Sequence, residues 1–471
     1  MKKIILTTIT TTFYLLASPI NGEFSTALEK WDLPDSEELT ISKIGLTFDF
    51  TPFWFGGINI YGAVDGKRGG FFTFGFESGL QTSKDNLIQL RSGVFVGAGG
   101  GGAAPQGGGL MLREYIEARL NTKIGSFGAG VSHVDFPNGD IKSTQLFSSF
   151  YIPFTLQKDN NSFYLNNFEL KNKILIKGGK YFTSSSSKTT KGKPLKDLTL
   201  IGIETQGFIN NKTFATFSLN GANGGNADGY MEVFGGLGLE QQIFSLPLFA
   251  SVIAELGMGG GGKVDTAGGS MYRLRGQLEA SFANNLRVGI EGGYIKSFKG
   301  SFKAKYLGAY LGFMSKFGNK NAKEDSYAIR ALAKLHFTSK GDFKKSYRDE
   351  KLYLEGMAID KFITDNIYIT GQSLWAFKGK SGGYTEGLLG IGYLQNITNN
   401  FALRAETLIG AAGGGGVKTG GLIGSASASL EYSFNKNLFI SVGGGYTKAR
   451  KGLASKDVSV GVGYKFNIHS N

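Results

Sequence analysis

Three groups of charged residues have the spacing of one kind of chemistry. Arg113, Glu117 and Arg119 form the first, Arg273, Arg275, Glu279, Arg287 and Glu291 the second, and Arg404, Glu406 and Glu431 the third. On an extended chain, residues of like parity share a face. Arg273, Arg275, Gln277 and Glu279 therefore face one way, and Tyr272, Leu274, Leu278 and Phe282 the other. A face carrying both signs does not suit an apolar interior, because unpaired buried charge is costly. It suits a wet lumen. Two readings stay open: the arginines and glutamates pair across strands to line that lumen, or an arginine excess lowers the barrier to anions passing along it.

Other chemistries fit less well. Glu117, Glu279 and Glu431 read as one position used three times, which raises the idea of a shared metal or a catalytic triad. In a ring of about 24 strands the radius is roughly 24 Å, and positions a third of the way round stand about 40 Å apart. No ion can be shared across that gap. Three Gly-rich strings, Val96–Gly102, Leu256–Gly262 and Ile409–Gly416, hint at phosphate binding, but a phosphate loop needs a following helix and strands follow here. Their glycines, among them Gly99, Gly102, Gly259, Gly262, Gly413 and Gly416, predict sharp outer hairpins that allow close backbone approach or fold in to narrow a mouth. Ser132-His133 and His336 lack a carboxylate at a nucleophile–base spacing. With three His and no Cys, no zinc cluster and no disulfide framework is expected. The residues predict no enzyme, no cofactor and no metal.

The elements that must position these residues are strands. Val458, Val460, Val462, Tyr464 and Phe466 alternate with Ser459, Gly461, Gly463 and Lys465, the period of a lipid-facing barrel strand. Asn437 to Lys448 and Leu422 to Phe434 alternate likewise. The Gly strings recur roughly every 155 residues, and a fixed period marks a repeated unit. Lys2-Lys3, an apolar stretch from Ile4 to Ala17 and a small-residue end predict a signal peptide over 1–22, cut after Gly22 or after Ser18. No later segment offers the ~20 apolar residues of a membrane helix. With this leader and these aromatic-ended strands, the chain resembles the bacterial outer-membrane β-barrels.

That resemblance implies an all-β fold: a transmembrane antiparallel up-and-down barrel in the bacterial outer membrane. About 24 strands are expected, with 22 the nearest competitor, built from three repeats near 23–160, 161–318 and 319–471. One of these strands must lie in 23–36, where Pro34 makes a poor strand. A single barrel is favoured over three small ones in series, because the junctions near 157–163 and 317–325 leave little room for separate closure. Parity puts the short turns Thr82–Asn86, Ala283–Asn285, Thr364–Asn366 and Asn435–Asn437 on the periplasmic side. It puts the basic loops Thr183–Asp197, Phe298–Lys305, Ser339–Lys351 and Lys448–Asp457 outside.

The formal charge of +14 asks for an anionic partner. Scattered basic loops without a recognition helix or stacking motif exclude nucleic acid. Two functions follow: a pore passing hydrophilic, anionic solutes or an acidic polymer such as a polysaccharide, or a structural, surface-interaction barrel that binds outer-leaflet lipid phosphates or a partner and conducts little. The oligomeric state is open.

Overall fold

The computed structural model describes residues 20–159, 162–164, 170–282, 285–317, 324–344 and 351–469. The expected signal peptide, apart from its last three residues, lies outside them. So do most of the Ala283–Asn285 turn and parts of the Ser339–Lys351 loop and of both junctions.

The strands fall into three sets. The first holds β1 (Ile20–Leu33), β2 (Glu37–Asp49), β3 (Trp54–Asp65), β4 (Phe72–Gln81), β5 (Ile88–Gly100), β6 (Leu110–Thr122), β7 (Gly125–Asp135) and β8 (Lys142–Asp159). A three-residue strand, β9 (Ser162–Tyr164), follows. The second set holds β10 (Leu170–Thr183), β11 (Leu198–Phe208), β12 (Thr213–Gly224), β13 (Met231–Gln242), β14 (Leu248–Gly260), β15 (Ser270–Phe282), β16 (Leu286–Ser297) and β17 (Lys303–Phe317). The third holds β18 (Glu324–Phe337), β19 (Lys351–Phe362), β20 (Ile367–Lys378), β21 (Thr385–Asn396), β22 (Phe401–Gly413), β23 (Gly421–Ser433), β24 (Leu438–Ala449) and β25 (Ala454–His469).

Each set closes on itself. Strand β1 pairs with β8 (Ile20 opposite Leu156), β10 with β17 (Leu170 opposite Phe317) and β18 with β25 (Glu324 opposite His469). The chain is therefore three eight-stranded antiparallel barrels, which corrects the expectation of one ring of about 24 strands. The physical reason lies in the topology. An up-and-down barrel with an even number of strands returns its last strand beside its first, at the same rim. A short junction then suffices to start the next barrel, so junction length carried no weight against separate closure.

Strand β1 also differs from expectation. It alternates buried and exposed residues from Phe24 to Leu33, and Pro34 falls just after it in a tight turn. Ile20, Asn21 and Gly22 pair with β8, so a cut after Gly22 would remove paired residues, whereas a cut after Ser18 would not.

Outward faces are apolar and exposed, as at Val252, Leu256, Leu274 and Leu278, the belt expected of lipid-facing strands. Where barrels meet, this surface is covered. Phe72, Phe74 and Ala98 of the first barrel, Val233 and Met258 of the second and Trp375 of the third form one buried cluster. Above it, the loop after the third strand of each barrel packs on the Gly-rich hairpin of another. A Cβ on Gly70 would lie 2.0 Å from the nitrogen of Gly261, one on Gly229 would lie 2.6 Å from that of Gly414, and one on Gly383 would lie 2.8 Å from that of Gly101. The first barrel thus meets the second, the second the third and the third the first. Only glycine permits backbones this close. Hydrogen bonds follow the contact: Gly69 N–H donates to Ala267 O at 2.7 Å and Gly383 N–H to Gly99 O at 3.1 Å.

Candidate functional site

An eight-stranded barrel leaves an interior just wide enough for side chains, and here charged side chains fill it. Arg91, Arg113, Arg119, Arg273 and Arg404 are only 1–2 % exposed. Such burial is tolerable only with partners, and each has them. In the first barrel Arg91 bonds Glu23 at 2.8 Å and Glu77 at 3.3 Å, Arg113 bonds Glu29 at 3.1 Å, and Arg119 bonds Glu117 at 3.0 Å and Glu23 at 3.1 Å. Tyr115 Oη donates to Glu77 at 2.6 Å and Tyr151 Oη to Glu117 at 2.9 Å. The guanidinium of Arg91 lies 3.3 Å from the Phe55 ring centre.

The second barrel holds the densest network. Arg275 meets Glu204 and Glu291 at 2.6 Å each and Glu255 at 2.9 Å. Arg273 meets Glu255 at 2.7 Å and Glu232 at 3.2 Å. Lys173 bridges Glu240 and Glu279, and Arg287 reaches Glu279 at 3.5 Å. In the third barrel Arg404 joins Asp360 at 2.9 Å and Glu431 at 2.8 Å, and Arg330 joins Asp360 and Glu406. Every charged residue singled out from sequence faces inward, each into its own barrel.

No arginine excess results. The first barrel buries Lys43, Arg91, Arg113 and Arg119 against Glu23, Glu29, Glu77 and Glu117, and the second buries five cations against six carboxylates. The register also corrects one equivalence. Counted from Leu110, Ser270 and Leu422, each paired next to the Gly run, Glu279 matches Glu431 and Arg119, while Glu117 lies one inward step nearer the outer rim.

The mouths at the Gly-hairpin end are closed by apolar lids. Phe71, Ala104 and Phe136 drop from the loops onto Trp31, Leu39, Tyr61 and Met111. Ala227, Val264 and Phe302 do so in the second barrel, and Phe343, Val417 and Leu453 in the third. The Gly hairpins supply one lid residue each through the same turn: Ala104 N–H donates to Gly101 O, Val264 N–H to Gly261 O and Val417 N–H to Gly414 O, at 2.9–3.0 Å. Gly99 and Gly259 lie one residue before the ends of β5 and β14, Gly102 and Gly262 turn with φ near +55°, Gly413 touches Gly229, and Gly416 turns at φ +74°. A cavity of about 20 Å³ among Lys177, Tyr181, Arg273, Glu291 and Tyr306 has room for about one water.

Sequence reasoning missed these lids, although inward Trp31, Tyr61, Phe95 and Met111 were a readable sign, since a water-filled lumen would not carry them. It also missed the setting of His336, whose Nε2 lies 2.9 Å from Glu386 and whose Nδ1 lies 3.9 Å from Asp457. Those partners come from distant strands, which spacing along the chain does not reveal. The group is fully buried, and His133 stands apart, its Nδ1 2.7 Å from Thr144. Among the described residues, no cluster of His and carboxylates is arranged to hold a metal ion.

No family model matches the chain, and no curated protein matches it. Solved structures do. The ferric enterobactin receptor PfeA of Pseudomonas aeruginosa is similar at 11 % identity, with 96 % of this chain and 81 % of that one covered and a TM-score of 0.29. The siderophore receptor PirA of Acinetobacter baumannii is similar at 9 %, 96 % and 81 %, with a TM-score of 0.30. The outer membrane protein opdK of Pseudomonas aeruginosa is similar at 10 %, 96 % and 100 %, with a TM-score of 0.24. The chain is thus similar to bacterial outer-membrane β-barrel proteins, at superpositions that leave its own strand pairings to define its architecture.

Proposed function

We propose that this chain is an outer-membrane body of three sealed barrels whose work is structural and carried on its outer surfaces, rather than a pore. One observation carries this reading: among the described residues the inward charges are buried and paired beneath apolar lids, so side chains fill each barrel axis in this conformation. Passage of hydrophilic or anionic solutes would require both a lid and an ion-pair layer to open, and each carboxylate left unpaired would carry a desolvation cost of several kcal/mol. The lipid-facing belt supports membrane insertion, and the basic outer loops support a surface role toward anionic groups.

The test is current through a planar bilayer containing protein shown to be folded and inserted. A silent membrane is expected. Long-lived, ion-selective steps would overturn the proposal and restore transport, with anion selectivity then reporting a role for the inward arginines.

A further inference from the structure

The outer rim holds a pattern that the sealed interior does not explain. Across β10, β17 and β16 the register sets Phe182, Lys305 and Tyr294 in one row. In the next row toward the rim, Lys296 stands directly opposite Lys303. Ile295, Ala304 and Tyr306 alternate with them and are buried inside the barrel, so the three lysines point outward. Lys296 and Lys305 are exposed and Lys303 is half-buried. Like charges directly opposite each other destabilise a sheet, and no ion pair to a described carboxylate relieves this one.

The third barrel repeats the row, with Ala454 rather than a lysine opposite Lys448. Phe337, Lys456 and Tyr446 form the row, and Lys448 stands two residues beyond Tyr446. Lys351 adds a cation 6.0 Å from the Phe337 ring centre. The first barrel lacks it. There His133 faces Thr144, and Asp135 takes the place of Lys296 and Lys448. Asp135 pairs with Lys142 at 3.7 Å, so that rim neutralises itself.

We propose that the second and third barrels, but not the first, each carry on their lipid-facing outer rim a binding site for the phosphate of an outer-leaflet lipid headgroup. Two or three convergent lysines supply the charge. The occupant is a lipid rather than dissolved phosphate because the lysines stand among outward aromatics. Tyr272 packs on Phe298 at 5.4 Å and on Tyr294 at 6.4 Å, forming the girdle that marks the level where acyl chains meet headgroups. The assignment rests on the membrane orientation above and is independent of whether the barrels conduct.

The experiment is native mass spectrometry of the full, folded chain in detergent, titrated with bis-phosphorylated lipid A and, separately, with its fully dephosphorylated form. Two phosphorylated lipids should be retained, and the dephosphorylated form should not. The triple variant Lys296→Gln, Lys303→Gln, Lys305→Gln should lose one site, its affinity falling on the order of a hundredfold for three lysines at an anionic lipid surface. Lys351→Gln with Lys448→Gln and Lys456→Gln should lose the other. Lys142→Gln, in the first barrel, should lose neither. Retention unchanged in both triple variants, equal binding of the dephosphorylated lipid, or full displacement by millimolar inorganic phosphate would each overturn the proposal. A conducting but lipid-binding protein would overturn only the sealed-barrel reading.

Discussion

Arg275 offers the sharpest test of a packed interior. Its guanidinium holds Glu204, Glu255 and Glu291 at 2.6–2.9 Å. In Arg275→Met, which keeps the bulk and removes the charge, Glu255 retains Arg273, while Glu204 and Glu291 must share Lys177, at 2.7 and 3.4 Å. Breaking a buried pair in this way costs about 3–5 kcal/mol. With a urea dependence of about 2 kcal/mol per molar, the unfolding midpoint should fall by about 1.5–2.5 M. Adding Glu204→Gln removes one of the two carboxylates competing for Lys177 and should recover about half of that loss. The three tryptophans, Trp31, Trp54 and Trp375, lie in the first and third barrels. A Tyr272→Trp background on the outer face of the second barrel therefore provides the fluorescence signal, measured during urea titration in lipid vesicles. Lys299→Met, at an exposed pair, should cost less than about 1 kcal/mol. If Arg275→Met moves the midpoint by no more than Lys299→Met does, the interior is solvated and the reasoning from burial fails.

Gly70→Val would push a side chain into the backbone of Gly261, so the first and second barrels should separate at the outer rim while both stay folded. A disulfide engineered across that contact should then form slowly in the variant and quickly in its absence, and equal rates would refute the role of the close approach. Asp65 makes an ion pair at 2.7 Å with Lys299 of the second barrel. Its hydrogen bond from Lys299, then that from the Gly66 N–H, hold its carboxyl below the usual carboxylate range. A lowered folded value means that the contribution is present above the unfolded value and is lost as pH falls through the folded one. Acid should therefore loosen this rim contact, seen as a rise in amide exchange near Gly66, and Asp65→Asn should abolish that pH dependence; an unchanged profile would count against the pair.

Much of the fold could be read from the chain, because period-2 alternation and turn parity are local. The inward face of 271–282 and the gathering of the three Gly hairpins at one rim both followed from them. Parity cannot distinguish one ring from three, since each arrangement has the same up-and-down order. Only the pairing of β1 with β8, of β10 with β17 and of β18 with β25 separates them, and pairing between distant strands leaves no periodic mark. The same limit hid the His336–Glu386 contact. Bulky inward residues such as Tyr61 and Phe95 did carry the information that the lumen is filled. They were outweighed by the charged residues that share the inward faces, which look alike whether they meet water or one another.

Joining the barrels in one chain has a consequence for the place where they meet. Assemblies of identical subunits repeat every residue around their symmetry axis, so a large side chain on the axis appears in every copy or in none. Ala63, Ala222 and Ala376 occupy matching positions, each donating its N–H across the loop after its strand, to Phe71, Tyr230 and Tyr384. The residues just before them are Gly62, Gly221 and Trp375. A Cβ on Gly62 would already lie 2.3 Å from the sulfur of Met258. Three tryptophans would not fit there, and three glycines would leave a void. A single chain can carry tryptophan at one of three matching positions and glycine at the other two, so its shared core can be filled by unequal parts, and each barrel becomes free to diverge toward a different neighbour.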